Sequence, residues 1–390
     1  MKKVLLMTTV YRVGERIYSI IPKLSEEFEV DVLKTGQMSN QIQWYGDNDL
    51  RLVFDKLYSE YVNNIFYEVP SLNQYDLILM DDDRYRNGMK EIYEEALSLG
   101  IPVIGHQHGN QELTKVLPNL RTEDRTSWDY ITVFGKKEKK LYINGPFDWT
   151  DEQWLNHKGL DFSHGILLGG IPCNDRLGEY ERTDKHILII VNFLGNRNAP
   201  FLRFDDKVFY KLGLLELQKE YNKKVVIKIK SRADHSRPME DFHYLSKILS
   251  KELDYEIIMD VEDDNKLISD SFIVISAPSV FPLKSIQKGI PTIILGERIF
   301  QHDNPEEYRK SAIRFGKDLP TGGFYKQGYG QLGTFYDYKG VVELDTQRIF
   351  DEIQRQYNNG KEVDFIENTV EGGIDFNSTK VFLDRIRELI

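Results

Sequence analysis

His186-Ile187-Leu188-Ile189-Ile190-Val191 follows a polar stretch from Gly178 to Lys185. With it the chain begins for a second time the pattern on which it opens, Val4-Leu5-Leu6-Met7-Thr8-Thr9. In both places a short apolar run rich in β-branched residues precedes a polar turn and a helical spacing, the mark of parallel strands joined by crossover helices. A pattern that restarts after a polar gap divides the 390 residues into two units, and one hydrophobic core rarely serves a chain of that length. The expectation is an α/β protein of two doubly wound, Rossmann-like domains facing across a cleft, over residues 1–180 and 186–375. A terminal helix over 376–390 carries Phe382, Ile386 and Leu389 on one face.

Outward from the restart, the first half places Ile17, Ile20, Ile21, Leu24 and Phe28 at the spacing of one helical face, then a strand over 28–33. Further strands are expected at 75–80, 103–105, 130–135 and 166–170, about six in all. The second half adds strands at 225–230, 256–259, 272–276 and 291–295. Ligands of such sheets lie beyond the carboxyl ends of the strands, so the loops after these runs should line the cleft. The stretch 321–333, with five glycines and several aromatics, breaks the pattern; it is either a surface excursion or an acceptor-binding lid.

Composition narrows the class. Apolar residues make up 41% and charged residues 29%, ordinary for a globular protein, and no run approaches the roughly 20 apolar residues that span a bilayer. The single cysteine, Cys173, forbids an internal disulfide and a thiolate metal cluster and points to a reducing compartment, the cytoplasm. A formal net charge of −11 disfavours DNA as a partner held by electrostatics alone.

Three motifs carry a family resemblance. Gly100-Ile101-Pro102-Val103-Ile104-Gly105-His106-Gln107-His108-Gly109, Asp129-Tyr130-Ile131-Thr132-Val133-Phe134-Gly135 and Gly169-Gly170-Ile171-Pro172-Cys173-Asn174-Asp175-Arg176-Leu177 resemble the amino-terminal half of GT-B glycosyltransferases. Within that class the chain is similar to CDP-glycerol glycerophosphotransferases, other capsule and teichoic-acid transferases, and non-hydrolysing UDP-N-acetylglucosamine 2-epimerases. The resemblance implies a nucleotide diphosphate held by the second domain, at the start of the helix after a strand such as 272–276. Here that turn is Ser276-Ala277-Pro278-Ser279-Val280, where free backbone N–H groups and the hydroxyls of Ser276 and Ser279 suit a phosphate. The same serines also suit an N-cap. The glutamate that many relatives place a few residues later, against the ribose, is missing; Leu283 and Lys284 stand there, so ribose recognition must differ. Lys284 either meets a phosphate or lies on a solvated face.

Two more loops point at the same place. Asn192, Asn196 and Arg197 follow the first strand of the second half. Lys228, Lys230, Ser231 and Arg232 end its second, where alternation sends Lys228 and Lys230 to one face and Ile227 and Ile229 to the other. An anion site or an edge strand guarded by lysines both fit. Transfer from a nucleotide donor needs a base for the acceptor hydroxyl and compensation for the departing phosphate. His108 is the preferred base, with His106 and Asp83 of the Asp81-Asp82-Asp83 run behind it, and the resemblance implies no metal or other cofactor. The reading is a glycosyltransferase using a nucleotide-sugar donor and a hydroxyl acceptor, whether a glycan, a lipid-linked glycan or a modified DNA base. The alternatives are a CDP-glycerol glycerophosphotransferase, a bacteriophage DNA-modification enzyme that flips its base, a nucleotide-sugar 2-epimerase, and an inactive binding module.

Overall fold

A computed structural model of the chain describes residues 1–8, 17–34, 58–81, 89–107, 129–144, 165–191, 204, 206–229, 238–258, 263–277, 279–295, 333–335 and 337–390. The first sheet comprises β1 (Lys3–Thr8), β2 (Glu29–Lys34), β3 (Asn64–Phe66), β4 (Leu77–Met80), β5 (Val103–His106), β6 (Tyr130–Val133) and β7 (Ile166–Leu168). The second comprises β8 (His186–Val191), β9 (Lys224–Ile229), β10 (Tyr255–Ile258), β11 (Ser271–Ser276), β12 (Thr292–Leu295) and β13 (Val341–Val342). The orders are β3-β2-β1-β4-β5-β6-β7 and β10-β9-β8-β11-β12-β13, and every pairing is parallel. Both sheets thus reverse direction beside their first strand, the doubly wound order of Rossmann-like domains.

The helices are α1 (Ile21–Leu24), α2 (Met89–Ser98), α3 (Lys136–Asn144), α4 (Asp206–Leu212), α5 (Leu214–Tyr221), α6 (Pro238–Ile248), α7 (Asp264–Ser269), α8 (Phe281–Lys288), α9 (Thr346–Asn359), α10 (Val363–Thr369) and α11 (Ser378–Leu389). Parallel strands covered on both faces read as continuous apolar runs, and β8 is buried at every residue. Ile187, Ile189 and Val191 join the core on one face, and Leu188 and Ile190 the core on the other. In the first domain Ile17, Ile20, Ile21, Leu24 and Phe28 all bury into one cluster, as their spacing predicts. Among the described residues no helix is long and apolar enough to cross a membrane.

Two strands went unread in the sequence. β3 is a three-residue edge strand without full burial, and β13 is a single pair of valines beside β12; neither is long enough to show a period. The first sheet has seven strands where about six were expected.

Among the described residues the chain crosses between the sheets twice. The first crossing runs through a 3₁₀ segment, Pro172–Glu179. The second leaves α10 and ends in α11, which returns to the first domain and packs Phe382, Leu383 and Ile386 among Val4, Leu6 and Leu79. Asp175 joins the crossings: its carboxylate accepts from the Ser378 N–H at 2.9 Å and the Thr379 N–H at 2.6 Å, capping α11 from outside the helix. Gly170 makes the approach possible. It sits at φ +66°, and a Cβ there would stand 2.4 Å from both the Glu371 carbonyl oxygen and the Ser378 Oγ.

Candidate functional site

In the second sheet the order reverses between β8 and β11, and ligands of doubly wound sheets bind outside the carboxyl ends of the strands at such a point. Asn192, Asn196 and Arg197, in the loop after β8, lie outside the described residues. On the β11 side, Ser276 is fully buried and its hydroxyl donates to the Ala277 carbonyl at 2.7 Å, closing the turn. The cap position of α8 falls at Val280, and no side chain caps the helix. The serine N-cap considered from sequence is therefore not what forms, because the cap position lies one residue beyond Ser279. The Ser279 Oγ is instead buried without a hydrogen-bond partner among the described residues. A buried hydroxyl left unbonded costs about 1–3 kcal/mol. An anionic oxygen would satisfy it, because the uncapped N–H groups and the positive end of the helix dipole stand beside it.

Two ammonium groups lie near the ring of Phe281, the first residue of α8. Lys228, next to last in β9, is only 9% exposed. Its Nζ lies 5.2 Å from the ring centroid of Phe281, the first residue of α8, and 3.6 Å from Asp264 Oδ1 at the start of α7. Lys284 places its Nζ 5.7 Å from the same ring. Because β9 runs between β8 and β10, the picture of an edge strand guarded by lysines does not apply. Ile227 and Ile229 pack into the opposite core, as the alternation predicts. Leu283 is buried beside Ile286 and Phe365, so the glutamate position of the resemblance faces the core. Lys230, Ser231 and Arg232 lie outside the described residues.

Sequence reading missed the wall of this site. Asp263 caps α7, accepting from the Asn265 and Lys266 N–H groups at 2.9 and 3.2 Å. It also accepts from the Tyr180 hydroxyl and lies 3.4 Å from Arg176 Nη2. Burial raises the Asp263 pKa, but the Tyr180 hydrogen bond and the other partners outweigh it and hold the carboxyl below its usual value. The first crossing is thereby tied to the helix beside Lys228. The legible signal was a cap: an aspartate just ahead of the helix Asp264–Ser269.

On the first domain, His106 ends β5 fully buried. Its Nδ1 lies 2.8 Å from Thr132 Oγ1, and its ring stands 6.0 Å from Phe134 and 5.4 Å from Phe382, edge-on to the latter. The candidate base at this position is thus enclosed by packing, away from any acceptor. Gln107 is buried too and accepts from the Phe134 N–H at 2.9 Å. His108 and Asp83 lie outside the described residues, as does the glycine-rich stretch apart from Gly333. A cavity of 540 Å³, lined by Lys339, Arg355, Lys361, Glu362 and Phe365 among others, lies where α9 meets α10. It contains none of the residues expected from sequence.

Comparison with known proteins bears on the architecture. No family model matches the chain, and no curated protein matches its sequence. Solved structures do. A UDP-GlcNAc 2-epimerase from Neisseria meningitidis bound to UDP-GlcNAc aligns over 100% of both chains, with a TM-score of 0.51 and 15% identity. A UDP-N-acetylglucosamine 2-epimerase from Rickettsia bellii aligns over 100% of this chain and 96% of its own, with a TM-score of 0.56 and 13% identity. The wall teichoic acid polymerase TagF covers 99% of this chain and 88% of its own, with a TM-score of 0.52 and 13% identity. With two parallel sheets of Rossmann-like order and a last helix that returns to the first domain, the chain has the GT-B fold.

Proposed function

We propose that the chain is a metal-independent glycosyltransferase that moves a sugar from a nucleotide-sugar donor to a hydroxyl acceptor, with the donor diphosphate at the start of α8. The observation that carries this reading is that Lys228 and Lys284 lie near the ring of Phe281, in the first turn of α8, two residues after a buried Ser279 hydroxyl with no partner among the described residues. In the reaction the acceptor oxygen attacks the anomeric carbon, the bond from that carbon to the diphosphate oxygen breaks, and the acceptor proton passes to a base. The two ammonium groups and the helix end offset the charge that develops on the departing diphosphate. The base falls to His108, with Asp83 second, since His106 is enclosed. Asn192, Asn196, Arg197, Lys230, Ser231 and Arg232 complete the donor site in this reading.

A second reading is an epimerase, favoured by the relatives named above that act as UDP-GlcNAc 2-epimerases; a third is transfer of glycerol phosphate, favoured by the likeness to TagF. The buried Leu283 in place of a ribose-binding glutamate weighs against the epimerase. The DNA-modifying alternative finds no support among these relatives. The test is thermal stabilisation against UDP, CDP, GDP, ADP and TDP with their sugar and glycerol conjugates. A native-state ligand at 100 times its Kd adds about 2.7 kcal/mol. The preferred donor is then incubated alone and with acceptors. Turnover that needs an acceptor supports transfer, conversion of UDP-GlcNAc alone supports the epimerase, and no stabilisation by any nucleotide refutes all three.

A further inference from the structure

In the first turn of α3, Lys137 and Glu138 are buried at the junction between the domains. Gly135, just before it, packs so closely on α10 that a Cβ would stand 2.5 Å from the Thr369 carbonyl carbon. Lys137, 4% exposed, donates from Nζ to the Thr334 carbonyl at 3.1 Å and to the Asp337 carboxylate, and lies 4.1 Å from the ring centroid of Phe365. Glu138, the next residue, is fully buried. One ammonium and one carboxylate are therefore shut between α3, the segment that leads into β13, and α10, with half-exposed Asp337 at their rim. Among the described residues the cluster holds two carboxylates against one ammonium when Glu138 is ionised, and the charges balance when it is protonated. An uncompensated charge out of water strongly disfavours the closed arrangement.

We propose that this cluster is a proton-controlled latch between the two domains, closed when Glu138 carries a proton and loosened when it is ionised. The latch does not depend on which reaction the cleft performs. Burial pushes the Glu138 carboxyl from its ordinary 4.5 up to about 7; Asp337 adds to the rise, and Lys137, with the Thr334 side chain, pulls the other way. Burial lowers the Lys137 pKa, with Asp337 and Glu138 opposing. Among the described residues the groups facing Glu138 are Lys137 on its own helix, and Asp337 and Thr334 from the segment before β13, while α10 presents the Phe365 ring beside Lys137. A carboxyl whose pKa is raised in the closed form gives its full stabilisation below the opened-form value. That stabilisation falls as pH rises from about 4.5 to about 7 and is level above.

Hydrogen exchange of the full chain, corrected for intrinsic exchange chemistry, reads the latch directly. Protection of residues 136–144 and 333–342 should fall roughly 70-fold between pH 5 and pH 8, if the opened form ionises at the ordinary 4.5. Glu138→Gln, which keeps the shape and removes the charge, should hold the protection flat and high. Asp337→Asn should leave a pH-dependent loss that levels off at lower pH, because one repulsive carboxylate is gone and Lys137 turns to Glu138. Protection in the wild-type chain that does not change from pH 5 to pH 8, or a Glu138→Gln variant with the wild-type dependence, overturns the proposal.

Discussion

Lys228→Met should leave stability almost untouched and damage binding, which separates a site lysine from a structural one. The Lys228 ammonium is 3.6 Å from the carboxylate of Asp264, whose side chain is 31% exposed and stays hydrated when the lysine is gone. No buried charge is orphaned, so the usual cost of breaking an interior ion pair does not arise. Methionine has the same reach and packs well against an aromatic ring such as Phe281. The ligand-free variant should therefore melt within about 1 kcal/mol of wild type. A charge-assisted contact to a phosphate contributes about 1.5–3 kcal/mol, so affinity for the preferred nucleotide should fall about 10- to 150-fold. Calorimetric titration with that nucleotide and melting without it give the two numbers. Affinity within twofold of wild type, together with ligand-free destabilisation of about 2 kcal/mol or more, would mean that Lys228 belongs to the fold and that the donor phosphates lie elsewhere.

Three further outcomes follow from the same geometry. Ser279→Ala removes a buried hydroxyl with no partner, so the ligand-free protein should gain up to about 1 kcal/mol while nucleotide binding weakens; weaker stability with unchanged binding would refute its role. His106→Ala should cost about 3 kcal/mol by emptying the space between Phe134 and Phe382, whereas His108→Ala should abolish transfer with nucleotide affinity nearly intact; the reverse pattern would exchange their roles. Asp175→Ala should lower the denaturation midpoint by the equivalent of about 1–2 kcal/mol, because two N–H groups of α11 lose their acceptor, and Asp175→Asn should fall between.

How much was legible in the sequence depends on what each residue needed from its neighbours. The run 186–191 declares a doubly covered strand because all six of its residues must be buried, and it is so in the structure. The helical face of Ile17, Ile20, Ile21, Leu24 and Phe28 is equally local. β3 and β13 were not legible, since two or three residues at a sheet margin show no period and are held by strands distant in sequence. At the site, alternation separates Lys228 from Ile227 and Ile229, but sequence cannot say that β9 is internal. That depends on β10 pairing beside it, and it decides between the two readings of Lys228, an edge guard or an anion-site residue, by making it a nearly buried cation. His106 and His108 are alike by pattern, and only the arrival of Phe382 from the far end of the chain shows that His106 is enclosed.

Three departures from good packing stand near the carboxyl ends of the strands. A lysine inside a parallel sheet, a buried hydroxyl without a partner and a buried glutamate would each be replaced by an apolar residue if stability alone chose the sequence. Lys228 and Ser279 stand at the carboxyl ends of β9 and β11, and Glu138 stands in the first turn after β6, so all three lie on the side of the sheets where ligands of this fold bind. At the opposite ends of the strands the Ser269 hydroxyl, just ahead of β11, is also buried with no partner among the described residues, while other polar groups there are bonded. His186 at the start of β8 is 3.1 Å from the Ser271 hydroxyl, and Asp31 in β2 meets Lys3, Asn64 and Tyr75. Strand direction alone does not sort the satisfied groups from the unsatisfied ones; what joins Lys228 and Ser279 is their place beside the start of α8. If both meet the donor, replacing the two together should weaken nucleotide binding more than either replacement alone, with no matching loss of stability in the ligand-free chain.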